Sequence, residues 1–121
     1  MLTFKAEADL HKLDFQDPAY AVIKELIDVL IKPLTPASGT YDFNGYGYLV
    51  LVEEGDLDGV IDLPEIDCAF EDVLWEGASM RDGFYYAIYL ANDEFGIGVV
   101  IPNADWLKPE HRALLDEMVA Y

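Results

Sequence analysis

Hydrophobic and polar positions follow two different periods along this chain. After Asp17 and Pro18 comes AYAVIKELIDVLIK, where apolar residues recur at helical spacing up to Lys32. Aspartate accepts hydrogen bonds from the free amides that start a helix, and proline fits the first helical turn. The pattern predicts a helix that begins at Asp17 and ends before Pro33. The following PLTPASGT, residues 33–40, is typical of a connector.

From residue 46 the chain turns to short runs rich in β-branched and aromatic residues, which are typical of strands. The predicted strands are YGYLVLV (46–52), VIDL (60–63), AFEDVLW (69–75), FYYAIYL (84–90) and IGVVIP (97–102). Asp82 and Gly83 predict a turn, and ANDEFG (91–96) predicts a hairpin connection. Residues 65–76 also fit a helix, and that alternative stays open.

The last predicted element is a helix in KPEHRALLDEMVAY, where Pro109 suits the first turn and an apolar stripe includes Leu115 and Met118. We therefore predict a single domain over residues 1–121 with an α+β fold. An antiparallel meander of four or five strands would pack with an N-terminal and a C-terminal helix in two layers. The length of 121 residues suits one domain.

Charge narrows the classes of function. The chain is 53% hydrophobic, yet 24 acidic residues against 7 basic ones give a net charge of -17. Such a protein repels phosphate groups, which argues against direct binding to nucleic acid or to anionic membranes. We find neither a signal-peptide pattern near the start nor an apolar run long enough to span a bilayer, and we predict a cytoplasmic protein.

The acidic residues concentrate in the predicted sheet. Residues 33–107 hold fifteen acidic residues, and Arg81 is their single basic residue. We expect an interaction module whose anionic face binds a basic protein, such as a nucleic-acid-binding enzyme, in the manner of an inhibitor, an immunity-type protein or a nucleic-acid mimic. The predicted partner-binding residues are Glu53, Glu54, Asp56, Asp58, Asp62, Glu65, Asp72 and Glu76, with Tyr46 and Tyr48 as anchors.

Two plainer interpretations of this charge remain open. An acidic surface can serve solubility alone, or it can dock as a structural subunit within an assembly. Whether the chain forms a homodimer is also left open.

A calcium site is the alternative from another class. The segment EGDLDGVIDLPE, residues 54–65, follows the EF-hand loop pattern of alternating carboxylates, a glycine and a closing glutamate. Its ligands for Ca²⁺ would be Glu54, Asp56, Asp58, the carbonyl of Val60, Asp62 and Glu65. Glutamate in the first position, a strand-like entering segment and Pro64 near the end depart from that pattern, and an acidic turn explains the same residues.

Few residues of this chain have the pattern of a catalytic group, so we expect no enzyme, no catalytic residue and no cofactor. His11 and His111 stand far apart in sequence, and neither belongs to a metal-binding spacing. Acidic neighbours disfavour the thiolate of Cys68, the single cysteine. Neither GYG nor GIG has the lysine and the following helix of a phosphate-binding loop.

Overall fold

The computed structural model describes residues 1–28, 47–66, 68–74, 77–92 and 95–119. Its strands are β1 (Leu2–Phe4), β2 (Gly47–Leu51), β3 (Ala78–Arg81), β4 (Phe84–Asn92) and β5 (Phe95–Pro102). Its α-helices are α1 (Pro18–Leu26), α2 (Phe70–Val73) and α3 (Pro109–Val119), and two 3-10 helices span Glu7–Lys12 and Leu57–Asp62. The predicted α+β class is confirmed.

The strands form one mixed sheet in the order β1-β2-β5-β4-β3. Three of the four pairings are antiparallel, and β3, β4 and β5 form the predicted meander. The central pair, β2 with β5, is parallel. The prediction of a purely antiparallel meander is therefore wrong. After β2 the chain crosses to the far edge of the sheet and continues there as β3, so β2 and β5 run in the same direction.

Burial explains why β2 and β5 lie at the centre. Leu49 and Val50 are adjacent in sequence and both are fully buried, although their side chains point to opposite faces. In β5, Val99 and Val100 show the same behaviour. Continuous apolar runs of this kind are typical of strands that are covered on both faces.

Helices cover both faces of the sheet. On the first face, α1 packs Val22, Ile23 and Leu26 against strand residues that include Leu49 and Val100. The second face is covered by the 3-10 helix Leu57–Asp62, by α2 and by α3, whose apolar residues share a core with alternate residues of β2, β4 and β5. The domain thus has three layers, and the prediction of two layers is wrong.

Local sequence signals set the boundaries of several elements. The carboxylate of Asp17 accepts a hydrogen bond from the amide of Ala19 at 2.8 Å, so the predicted start of α1 is confirmed. Asp82 and Gly83 join β3 to β4 in a two-residue turn with φ of 51° and 86°. Two positive φ angles suit the right-handed twist of a hairpin, and glycine adopts the second without strain.

Other elements differ from the prediction. The first three residues of VIDL belong to the 3-10 helix Leu57–Asp62 instead of a strand, because Leu57 and Val60 are buried at a spacing of three. The strand predicted for AFEDVLW is wrong, because Phe70–Val73 form the short helix α2, and the helical alternative for 65–76 holds for these four residues. β1 and β3 were missed, since three or four residues carry no readable period. The predicted end of α1 at Lys32, the connector 33–40 and the tip of the hairpin 91–96 lie outside the described residues.

In the described ranges, no helix combines the length and the apolar character needed to cross a membrane.

Candidate functional site: an acidic groove at one end of the sheet

The carboxyl ends of the two parallel strands lie side by side at one end of the sheet. Beyond the last residue of β2, the amide of Val52 still donates to the carbonyl of Val100 in β5 at 2.9 Å. Glu53 and Glu54 come directly after this contact and are exposed. Because parallel strands point in the same direction, these two acidic residues emerge at the rim of the sheet beside the end of β5.

A groove of about 390 Å³ opens at this rim, between the strand ends and the segment that leads into α1. Its carboxylates come from two distant parts of the sequence, Asp14 with Asp17 and Glu53 with Glu54, and its single basic side chain is Lys12. The apolar lining consists of Leu2, Leu13, Pro18, Ala19, Leu51, Val52, Phe84, Pro102 and Trp106. We call this feature the anionic groove.

The carboxylates from the α1 side are held in place by the backbone. Asp14 accepts a hydrogen bond from the amide of Gln16 at 2.9 Å, and Asp17 accepts one from the amide of Ala19 at 2.8 Å. A carboxylate offers about four acceptor positions, so each keeps acceptor capacity for a ligand. Across the groove, Glu54 makes no ion pair with any residue that the structure describes.

An ammonium group already sits beside the anionic groove. The amine of Met1 lies 3.0 Å from Glu53 Oε1 and donates to Asp56 Oδ2. The hydrogen bond to Asp56 raises the pKa of this amine above its usual 8.0, burial opposes the shift, and Glu53 adds to it. The contact shows that these carboxylates are placed to bind a cation from the protein's own chain.

Phe15 stands out in the turn between Asp14 and Asp17. Its side chain is 79% exposed, against 41% for Ile61 and Met80, the other exposed large apolar side chains among the described residues. The ring contacts Tyr20, with 5.2 Å between the ring centroids. The two ring planes are tilted by 57° to each other.

The structure separates the predicted partner-binding residues. Glu53 and Glu54 line the anionic groove and Asp56 lies next to it, whereas Glu65 lies near the opposite end of β2, where it accepts a hydrogen bond from Tyr48 at 2.6 Å. The others lie elsewhere: Asp58 pairs with Lys108 at 3.7 Å, Asp62 is exposed on its 3-10 helix, and Asp72 is exposed on α2. Glu76 and Tyr46 lie outside the described residues.

Tyr48 lies in the core beneath the second face of the sheet, which we call the second core. Only 7% of its surface is exposed, and Lys5 covers the ring at 5.7 Å from the centroid. The prediction that Tyr48 anchors a partner remains untested, but in this fold the side chain offers a partner little surface.

The predicted calcium ligands are arranged differently from an EF-hand loop. Asp56 is engaged by Met1, Asp58 by Lys108 and Glu65 by Tyr48, while the carbonyl of Val60 accepts the amide of Leu63 at 3.3 Å. These groups are thus engaged by partners from different parts of the chain. Across the described part of the chain, no three side chains of His, Cys, Asp or Glu are gathered to hold a metal ion.

Asp14 and Asp17 line the anionic groove but are not among the predicted site residues. Asp17 was interpreted only as a helix cap, and the aromatic residue between two acidic ones in DFQD was the signal that could have indicated an exposed contact.

No protein-family model, no curated protein and no solved structure matches this chain. The geometry of the anionic groove therefore carries the functional conclusion.

Proposed function

We propose that this protein is a small acidic interaction module that binds a basic segment of a partner protein in the anionic groove. The observation that carries this proposal is a single groove lined by four acidic residues and by apolar residues. A lysine or arginine side chain matches this combination, because it has an apolar stem and a cationic head.

The size of the groove is consistent with a binding site. Its volume of about 390 Å³ falls in the range of roughly 300–1,000 Å³ that is usual for ligand pockets. The apolar lining includes nearly buried residues, such as Leu51 and Phe84, which give the groove a wall of low polarity. Electrostatic attraction is stronger where water is excluded.

The charge of the whole molecule supports the same proposal. A net charge of -17 draws basic proteins toward the surface from a distance and repels nucleic acids. We expect the partner to be a basic protein, such as a nucleic-acid-binding enzyme, and this chain to act on it as an inhibitor, an immunity-type protein or a nucleic-acid mimic. The cytoplasmic location and the lack of enzymatic activity remain predictions.

Peptide binding tests the proposal. The probe is acetyl-Arg-Phe-Arg-Arg-amide, titrated calorimetrically at low and at physiological salt, with acetyl-Glu-Phe-Glu-Glu-amide as the charge-reversed control. We expect the arginine peptide to bind and to weaken as salt screens the charges, and we expect the glutamate peptide not to bind. Absence of binding by the arginine peptide at low salt would overturn the proposal.

Matched variants locate the site. Replacing Glu53→Gln together with Glu54→Gln removes two charges at the groove, and Asp62→Asn with Asp72→Asn removes two exposed charges elsewhere. We expect the first pair to weaken binding by about tenfold and the second by about twofold or less, because screening limits distant charges. Equal weakening by both pairs would contradict a site in the groove.

A further inference from the structure

The two edges of the sheet differ in how they are protected. At one edge β1 pairs with β2, and the ammonium of Lys12 donates to the carbonyl of Thr3 in β1 at 2.5 Å. At the other edge β3 pairs with β4, and no further strand joins β3 among the described residues. An edge strand of this kind offers its backbone donors and acceptors to another chain.

The register of β3 with β4 shows which backbone groups face outward. A two-residue turn makes the residues that flank it, Arg81 and Phe84, a hydrogen-bonded pair. Hydrogen-bonded and non-hydrogen-bonded pairs alternate along antiparallel strands. Ser79 therefore bonds to β4, whereas Ala78 and Met80 direct their amides and carbonyls away from it. Within the described ranges, none of these outward groups has a hydrogen-bond partner.

Side chains along β3 leave its outer edge open. Ser79 is exposed, and the apolar Met80 is 41% exposed. The one charged residue of the strand, Arg81, is engaged on the inner side of β3. Its guanidinium lies over the ring of Tyr86 at 5.6 Å from the centroid and pairs with Glu25 Oε1 at 3.2 Å. The strand thus lacks the outward charge and the proline that commonly prevent edge pairing.

Charge along the β3–β4 hairpin indicates which partner fits this edge. Residues 77–92 contain Arg81 and Asp82 as their only charged residues, so this segment is neutral in a chain whose net charge is -17. A second copy of the chain is repelled by the acidic surfaces elsewhere and meets little repulsion here. A two-fold contact also requires an edge that complements itself, and this edge offers donors and acceptors in equal number.

We propose that two copies of this chain pair along β3 in antiparallel orientation, so that their sheets join into one continuous sheet. A two-fold axis at Ser79 places Ala78 opposite Met80 of the second copy, and all the outward amides and carbonyls of both strands then pair across the interface. The small side chain of Ala78 leaves room for the exposed methionine of the second copy. This inference is independent of the proposed function.

Sedimentation equilibrium of the native protein tests for the dimer, over protein concentrations up to about 1 mM. The contact is small, so the dimer should dissociate on dilution. Added NaCl should strengthen it, because salt screens the repulsion between two acidic copies. Binding of the arginine peptide should change with salt in the opposite direction. A monomer at every protein and salt concentration would overturn the inference.

A charge at the two-fold axis should disrupt the pairing. Ser79→Lys places like charges opposite each other, and we expect dimerisation about tenfold weaker than in the native protein. Gln16→Lys is the matched control, because it adds the same charge at an exposed position before α1, and it should dimerise at least as well as the native protein. Circular dichroism verifies that both variants fold. Equal dimerisation of the two variants would exclude β3 as the interface.

Cross-linking with diamide tests the register, in a Cys68→Ala background because Cys68 is the single cysteine. Ser79→Cys sets the two thiols directly opposite each other in a non-hydrogen-bonded pair, with about 4.5 Å between Cα atoms, which suits a disulfide. Met80→Cys sets them diagonally at about 7–8 Å, beyond the usual span. We expect at least tenfold faster cross-linking with Ser79→Cys. Equal rates, or a faster rate with Met80→Cys, would contradict the proposed pairing.

The outcomes for this dimer and for the proposed function are separate. If dimerisation fails, or does not depend on β3, the inference is wrong, and binding of the arginine peptide in the groove is unaffected. If the peptide does not bind at low salt, the proposed function fails, and the dimer is judged by sedimentation and cross-linking alone.

Discussion

Tyr48 shows how one side chain can serve the interior and the surface together. Its ring packs in the second core, and its hydroxyl reaches Glu65 at 2.6 Å. Burial raises the pKa of Tyr48 well above its usual 10.0, and the hydrogen bond to Glu65 raises it further. The tyrosine and the glutamate together therefore tie β2 to the segment that follows the 3-10 helix Leu57–Asp62.

This contact predicts how stability changes at alkaline pH. The pKa of Tyr48 is higher in the folded than in the unfolded state, so its contribution is fully present below pH 10.0 and is lost as the pH rises beyond it. A titration followed by tyrosinate absorbance should place Tyr48 among the last tyrosines to ionise. In Tyr48→Phe that late step should shrink, and loss of an early step instead would contradict the assignment.

The same substitution predicts a loss of stability at neutral pH. Tyr48→Phe keeps the ring and removes the hydrogen bond to Glu65, which should lower the free energy of unfolding by about 1 kcal/mol in chemical denaturation. Tyr86→Phe is the control, because the structure gives its hydroxyl no hydrogen bond within the described residues. Equal losses in the two variants would show that the hydroxyl of Tyr48 adds nothing specific.

Helix α1 links the stability of the fold to the anionic groove. Its first turn is capped by Asp17, whose carboxylate also lines the groove, and its apolar face builds the first core. A ligand bound as proposed would therefore contact the side chain that caps the helix.

Two substitutions at Asp17 should separate these roles. Asp17→Ala removes the cap and should cost about 1 kcal/mol of stability. Asp17→Asn keeps a capping oxygen and loses the charge, so its melting temperature should stay close to that of the native protein while affinity for the arginine peptide falls. Native affinity in Asp17→Asn would exclude this carboxylate from the binding site.

At the level of the complete chain, the charge of -17 opposes folding through mutual repulsion. Among the described residues, few basic side chains offset this repulsion. Lys108 pairs with Asp58 and Arg81 pairs with Glu25, and both ion pairs join distant segments. Screening by salt should relieve more of the repulsion, with a Debye length of about 8 Å at physiological ionic strength.

Thermal melts test this view and the calcium alternative together. The melting temperature should rise with NaCl, and Ca²⁺ and Mg²⁺ should produce similar rises at matched ionic strength, because the described carboxylates of 54–65 are not gathered into a metal site. A specific site at about 100 times its Kd would add about 2.7 kcal/mol. A rise selective for Ca²⁺ would restore the predicted loop as a metal site.

Features with a local cause could be predicted from the sequence. The Asp17–Pro18 start of α1, the Asp82–Gly83 turn and the Pro109 start of α3 depend on neighbouring residues, and all three are confirmed. Strands β4 and β5 were also predicted correctly, because runs of β-branched and aromatic residues favour extended backbone. The net charge, and with it the prediction that phosphate-rich partners are repelled, likewise required no coordinates.

The parallel pairing of β2 with β5 and the anionic groove could not be predicted, because both depend on residues far apart in the chain. Asp17 and Glu53 meet at the groove only after α1 packs on one face of the sheet and β2 enters its centre. Tyr48 looked like a surface anchor in sequence, and only the layer over the second face buries it. Local patterns carry no information about such contacts, because packing between distant segments creates them.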